Sequence, residues 1–169
     1  MANTDFELMV DAGIADIKKA EKVLKTEVTK IVIGSETLND LDFVSKAIDV
    51  FGEDRVLISI DQKQGRILST LSSIAMMDIV SFTQKLEDLG VHKIILLDLD
   101  RVGTELGINL DIIKPVLEKT GVEVLVGGGV TSLQELEKLR NLGVSASLVA
   151  TILHNGRITV NELETVGFL

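Results

Sequence analysis

Six short aliphatic and β-branched runs punctuate the chain, at 7–12 (ELMVDA), 29–34 (TKIVIG), 56–61 (VLISID), 93–98 (KIILLD), 122–127 (VEVLVG) and 146–150 (ASLVA). The runs are largely continuous rather than alternating, the pattern of strands covered on both faces. Between them apolar residues recur at helical spacing. Leu41, Val44, Ala47, Ile48 and Phe51 follow Asn39 and stop at Gly52; Ile79, Phe82 and Leu86 follow Asp78 and stop at Gly90. Leu133, Leu136 and Leu139 follow Ser132 and stop at Gly143, and Ser132 with Glu135 has the spacing of a capping box. After Asn109 the pattern is broken by Pro115, which lacks an amide donor and so predicts a helix that starts or kinks there. Strict strand–helix alternation predicts a parallel sheet with right-handed crossovers.

Two stretches of this pattern repeat. Residues 8–36 and 124–152 superpose without a gap at an offset of 116, pairing Gly13 with Gly129, Glu21-Lys22 with Glu137-Lys138, and Gly34-Ser35 with Ala150-Thr151. Spread over four strand–helix units the offset gives about 29 residues per unit, near the spacing of a (β/α)8 barrel of ~250 residues. The expected fold is therefore α/β: one domain over 1–169, an incomplete TIM-type barrel whose six units correspond to units 3–8. A flavodoxin-like open sheet is the other topology that alternation allows; glycine motifs at several strand ends favour the barrel. Only seven residues precede the first copy, and the opening MANTDF reads as an internal start. Six strands would leave two edges bearing Leu8, Met9, Val10, Leu148 and Val149, which predicts self-association or pairing with another chain.

Composition narrows the function classes. The 169 residues are 46% hydrophobic with five Phe as the only aromatics, which asks for an aliphatic core. A net charge of −9 argues against nucleic acid, whose phosphates need clustered Lys and Arg. No apolar run approaches the ~20 residues of a membrane span, and no signal peptide opens the chain. The absence of cysteine excludes disulfides and thiolate metal sites. A cytoplasmic protein without membrane partners is the expectation.

Ligands of parallel α/β folds bind at the C-terminal strand ends. In order these read Asp11-Ala12-Gly13, Gly34-Ser35, Asp61, Asp98-Leu99-Asp100, Gly127-Gly128-Gly129 and Ala150-Thr151. Small residues let a ligand approach the backbone, and amide groups opening the next helix can hold phosphate without a lysine. The same residues also serve a tight strand-to-helix turn. Asp61 closes an apolar run before a polar loop, QKQGR, a position suited to acid–base work, to capping or to pairing with Lys63. Asp98 and Asp100 alternate, so an extended backbone would put them on one face, with Arg101 beside them as an ion-pair partner. No spacing of ligand residues indicates a metal. His92 reads as structural and His154 as part of a turn.

Taken together these strand ends resemble the phosphoribosylformimino-aminoimidazole-carboxamide ribotide isomerases of histidine biosynthesis and their cyclase sisters, half-barrel duplications with two phosphate sites. VDAGIADIKKAEKVL resembles the third strand of that barrel, KIVIGSETLND the fourth, RVLISIDQKQGRI the fifth, and IILLDLDRVGTELGINLDII the sixth with its D-G-T-x-x-G-x-N loop. LVGGGVTSLQELEKLRNLGV resembles the seventh and its helix. The resemblance implies one phosphate site on Gly13, Gly34 and Ser35 and a second on Gly128, Gly129, Ala150 and Thr151. It implies Asp61 as a catalytic carboxylate, with Asp100 a weaker candidate. The implied reaction is an Amadori rearrangement of an aminoaldose to an aminoketose on a phosphorylated sugar or ribotide, needing no metal or organic cofactor. The chain departs from the pattern at Asp11-Ala12, where two glycines are usual, at Ala15 for Arg, at Leu97 for Thr, at Val102 for Asp and at Ala150 for Gly. The other catalytic carboxylate of the family lies on a first strand that this sequence does not include. The alternatives are a non-catalytic phosphometabolite-binding paralogue and a truncated fragment without activity.

Overall fold

The computed structural model describes residues 7–104 and 106–169; the opening six residues, read above as an internal start, and Glu105 lie outside the described residues. Six parallel strands form the sheet in the order β1 (Met9–Asp11), β2 (Lys30–Gly34), β3 (Val56–Lys63), then β5 (Lys93–Asp98), β6 (Glu123–Gly127) and β7 (Ala146–Leu148). The two-residue β4 (Arg66–Ile67) folds back antiparallel on β3. Helices α1 (Ile17–Leu24), α2 (Asp42–Phe51), α3 (Ser72–Ala75), α4 (Ile79–Asp88), α5 (Leu110–Lys119), α6 (Leu133–Asn141), α7 (Thr151–His154) and α8 (Val160–Thr165) fill the connections. The result is a curled half-barrel, an incomplete (β/α) barrel.

Both faces of the sheet are covered, as the unbroken apolar runs require. On the convex face Ile31, Ile33, Ile58, Ile60, Ile94, Leu96, Val124 and Val126 pack with helix residues such as Val44, Phe82, Leu86 and Val116. On the concave face Val32, Leu57, Ile95 and Leu125 form a second cluster, each at most 7% exposed. Curling makes this possible, because a flat six-stranded sheet would leave that row in water. The apolar stripe stops at the outer strands. Among the described residues no pairing joins β1 to β7, and Leu8, Met9 and Leu148 are exposed there. At the N-terminal strand ends Lys93 pairs with Glu123 (3.6 Å), and His92 Nε2 lies 3.3 Å from the Glu53 carboxylate.

The differences from the sequence-based expectations have local causes. Strand β3 does not end at Asp61 but runs on to Lys63, because Gln64 (φ 52°) and Gly65 turn the chain into β4 and Leu68 N–H donates to Asp61 O (2.7 Å). Helix α2 starts at Asp42 rather than behind Asn39, since the Asp40 carboxylate accepts the Asp42 amide (3.0 Å). Pro115 neither opens α5 nor stops it but lies within the helix. His154 is the last residue of α7 rather than a loop residue. Ser132 caps α6 as expected, but the reciprocal half of the box is missing because Glu135 is engaged elsewhere. A complete capping box stands instead at Thr159 and Glu162, opening α8.

Candidate functional site

The C-terminal strand ends form one rim, and the two repeat units contribute its two corners. In the corner built by β6, α6, β7 and α7, Gly128 (φ 92°) and Gly129 (φ 86°) hold a conformation that side chains disfavour. They are also crowded. A Cβ on Gly128 would stand 2.7 Å from Asp98 O, and one on Gly129 would collide with Gly107 O. The 99–108 loop therefore rests directly on these glycines. Arg101 holds it, donating from Nη1 to Leu106 O (2.8 Å) and Gly107 O (2.9 Å) while its Nε lies 3.5 Å from Asp98 Oδ2. The Glu135 carboxylate ties the loop to α6, accepting the amides of Ile108 (3.2 Å) and Thr131 (2.7 Å).

Among the described residues, the amides of Gly129, Ala150 and Thr151 donate to no protein acceptor, whereas the pairing of Gly127 with Leu148 turns the Gly128 amide toward β7. Gly128, Gly129, Ala150 and Thr151 all line one cavity of about 410 Å³. Its walls include Leu97, Val102, Leu148 and Ile152, its side-chain hydroxyls belong to Thr104 and Thr151, and no ionisable side chain among the described residues lines it. Ala150 and Thr151 are exposed at the start of α7, where helix amides have no partner within the helix, and positive-φ turns are a common way of pointing amides at one anion.

The corner built by β1, α1 and β2 has the same chain path and opposite chemistry. Three of its donors are engaged. The Gly13 amide donates to Asp11 Oδ1 (2.9 Å), the Ser35 amide to Ser59 O (2.8 Å), and the Ser35 hydroxyl to Leu68 O (2.8 Å). The Glu36 carboxylate folds back over Gly34, occupying the space a Cβ would need, and its Oε2 is shielded from solvent without a hydrogen-bond partner. Burial raises the Glu36 carboxyl above the ordinary range, and the charges of Asp61 and Asp11 add to the rise. Burial likewise raises Asp61; the Ser59 hydroxyl donating to Oδ1 (2.5 Å) opposes this, and Asp11 adds to it. Glu36 was missed in the sequence because nothing in SETLN marks a carboxylate that turns back into the rim.

The structure thus brings Gly128, Gly129, Ala150 and Thr151 together around one cavity, and groups Gly13, Gly34 and Ser35 with Asp61 at the other corner. Asp61 does not line the cavity. Asp98 and Asp100 do not share a strand face, because β5 ends at Asp98 and the chain turns; Asp98 Oδ1 accepts the Asp100 amide (3.1 Å). Asp98 Oδ2 also accepts from Asn109 (3.1 Å), and Asp100 accepts the Gln64 amide, fastening the β3–β4 hairpin. No group of three or more His, Cys, Asp or Glu among the described residues is placed to hold a metal ion. No helix among them is long and apolar enough to cross a membrane.

Comparison with known proteins adds a family. Residues 1–159 match the model described as histidine biosynthesis protein. The chain is 34% identical over 160 residues to the 1-(5-phosphoribosyl)-5-((5-phosphoribosylamino)methylideneamino) imidazole-4-carboxamide isomerase of Streptococcus thermophilus, covering 94% of this chain and 67% of the relative. It is 30% identical to the isomerase of the same name from Halothermothrix orenii (92% and 66% covered). The corresponding isomerase of Clostridioides difficile is 25% identical over 168 residues (99% and 70%). The chain spans about two thirds of the length of these relatives.

Proposed function

The chain belongs to the histidine biosynthesis protein family, and on that premise we propose that it is an isomerase-type barrel that grips a phosphorylated metabolite at one corner of its rim. The phosphate-binding residues are Gly128, Gly129, Ala150 and Thr151. The observation that carries this is the set of three amides without protein acceptors, those of Gly129, Ala150 and Thr151, around a single cavity with Gly128 beside them. A phosphate would give each a charged acceptor, and hydrogen bonds to charged groups are stronger than neutral ones. The corresponding residues of the other corner, Gly13, Gly34 and Ser35, take a phosphate only if Asp11 leaves the Gly13 amide, and Asp11 and Glu36 would set two carboxylates against it.

Asp61 is the acid–base group of this reading. Its raised pKa brings protonated and ionised forms closer in population near neutral pH, which suits a group that both gives and takes a proton in an aminoaldose-to-aminoketose rearrangement. The reading needs no metal or organic cofactor. We read β1–α1–β2 and β6–α6–β7 as copies of one ancestral unit within a single domain. Helices α1 and α6 open at Ile17 and Leu133, behind the caps Asp16 and Ser132, at the same 116-residue offset as the sequence match.

A thermal-shift titration tests the grip. A bis-phosphorylated ribotide, ribose 5-phosphate and sulfate are compared on the full chain; a ligand at 100 times its Kd adds about 2.7 kcal/mol of stability. A rise with phosphate-bearing ligands supports the reading, and a cooperatively folded protein that responds to none of them overturns it. The second reading, a binding protein without catalysis, is favoured by one observation: Asp61 stands apart from the cavity. Turnover of the ribotide that disappears in Asp61→Asn supports the enzyme; phosphate binding without any turnover supports the binder.

A further inference from the structure

We infer that Ser59 is a positioning residue for Asp61, fixing the carboxylate so that its Oδ2 oxygen alone is presented to the reacting atoms. The inference rests on the acid–base reading of Asp61 above and names what holds that group in place. Ser59 and Asp61 stand two apart on β3, so the extended strand turns both side chains to one face. Leu57, two residues earlier, belongs to the apolar row with Val32, Ile95 and Leu125, which makes that face the concave one. Ser59 is 5% exposed and donates its hydroxyl proton to Asp61 Oδ1 at 2.5 Å. Its neighbours across the sheet are Gly34 on β2 and Ile95 on β5, and neither offers a side-chain acceptor. A buried hydroxyl needs a partner, and the partner here is Asp61.

The backbone of Asp61 is held as closely. Its amide donates to Ser35 Oγ (3.3 Å), and its carbonyl accepts from Leu68 N–H (2.7 Å). Ser35 is fully buried; its hydroxyl donates to Leu68 O (2.8 Å) and its amide to Ser59 O (2.8 Å). It thereby ties Ser59, Asp61 and the return of the β3–β4 hairpin into one unit. Among the described residues no donor reaches Asp61 Oδ2. A carboxylate fixed at its backbone and at one oxygen loses little freedom when the other oxygen takes up a proton. The hydrogen bond from Ser59 also favours the ionised form, against burial and the charge of Asp11, which favour the protonated one. The charged groups around Asp61 are Asp11 at the end of β1 and Glu36 behind β2; Lys63 and Arg66 of the hairpin are exposed, and Asp98 of β5 is taken by Arg101 and Asn109. None of them donates a hydrogen bond to the Asp61 carboxylate, which leaves that task to Ser59.

The pH dependence of kcat and KM for the bis-phosphorylated ribotide, measured on the full chain, tests this. Ser59→Ala removes a bond that favours the ionised carboxylate, so the acidic limb of the kcat profile should move to higher pH. At the optimum kcat should fall about ten- to a hundredfold, the scale of a misplaced reacting group, with KM little changed because Ser59 does not touch the substrate. Ser59→Cys, a near-isosteric second variant with a weak donor, should fall between Ser59→Ala and the unaltered chain in both respects. A lower kcat with an unmoved acidic limb in both variants means a merely structural serine and overturns the inference. Variants indistinguishable from the unaltered chain also overturn it, and either result leaves Asp61 standing if Asp61→Asn is inactive. Full turnover in Asp61→Asn, or none in the unaltered chain, removes the acid–base reading and the inference with it.

Discussion

The two strand–helix–strand corners of this half-barrel follow one path and end in opposite electrostatics. At the 116-residue offset Asp11 faces Gly127, Gly13 faces Gly129, Gly34-Ser35 faces Ala150-Thr151, and Glu36 faces Ile152. One corner therefore carries two carboxylates, one of them bonded to the glycine amide, where the other carries a glycine and an isoleucine. Two substitutions separate a corner with two carboxylates at its rim from one with none, while the Ser35 amide is taken by Ser59 O of the neighbouring strand. The backbone conformation at Gly13 and Gly129 is of the same left-handed kind, so a glycine signature alone does not say whether a site is available. The corners differ in the residue two before this glycine, Asp11 or Gly127, and in the one two after the end of β2 or its counterpart, Glu36 or Ile152.

The sharpest way to break the symmetry is steric. Gly129→Ala forces a side chain at φ 86° into Gly107 O, and should cost about 3 kcal/mol, adding left-handed strain to overpacking against backbone. Gly13→Ala has the milder φ of 62° and meets only the flexible Lys19 Nζ at 3.5 Å, so about 1 kcal/mol is expected. Urea denaturation of both variants measures the gap; equal losses would mean that the 99–108 loop does not press on the glycines. The next effect is a conversion. Asp11→Gly with Glu36→Ile gives the first corner the residues of the second at these two positions, frees the Gly13 amide and removes two charges. Calorimetric titration with inorganic phosphate should show a second site, or a gain of about tenfold in affinity, worth ~1.4 kcal/mol. An unchanged isotherm would place the difference between the corners somewhere other than in these two carboxylates.

Much of this was legible in the sequence because burial on both faces writes itself as unbroken apolar runs. All six runs are strands, and the caps Asp78 and Ser132 act where the pattern put them. Of the candidate glycines Gly13, Gly128 and Gly129 leave their strands at positive φ, while Gly34 does not. Illegible were features set by side chains choosing among several nearby partners. The spacing of Ser132 and Glu135 says nothing about Thr131 and Ile108 competing for the same carboxylate. Nor does alternation of Asp98 and Asp100 show that the strand ends between them, or that Gln64 claims Asp100. Glu36 is the clearest case. A surface-type residue in a turn became a shielded carboxylate because the absent Cβ of Gly34 left it room.

That carboxylate makes the acidic corner sensitive to pH in a direction that the other corner lacks. The folded pKa of Glu36 and of Asp61 lies above the unfolded value, so the folded state binds protons more tightly. Their contribution to stability is complete below the unfolded values and is lost as pH rises through the raised folded values. Glu36→Gln cannot ionise and should escape its share of that loss. It is expected to melt about 2 °C higher than the unaltered chain at pH 7, with the gap closing as pH falls toward the unfolded carboxylate range. A gap that widens on acidification would show that the Glu36 charge is favourable in the fold.

The smallest contrast concerns what the corners share. Asp16 accepts the Lys19 amide at 2.8 Å and Ser132 accepts the Glu135 amide at 3.3 Å, each opening its helix in the same way. Asp16→Ala and Ser132→Ala should each cost about 1 kcal/mol. Asp16 should cost a few tenths more, because an ionised cap also meets the positive end of the helix dipole. Raising the salt concentration ought to erase that excess while leaving the common loss in place, since screening weakens a charge more than a hydrogen bond. If the two losses differ by more than 1 kcal/mol in high salt, the helices are not equivalent parts of a repeated unit. The contrast between the corners would then reach below the rim into the scaffold itself.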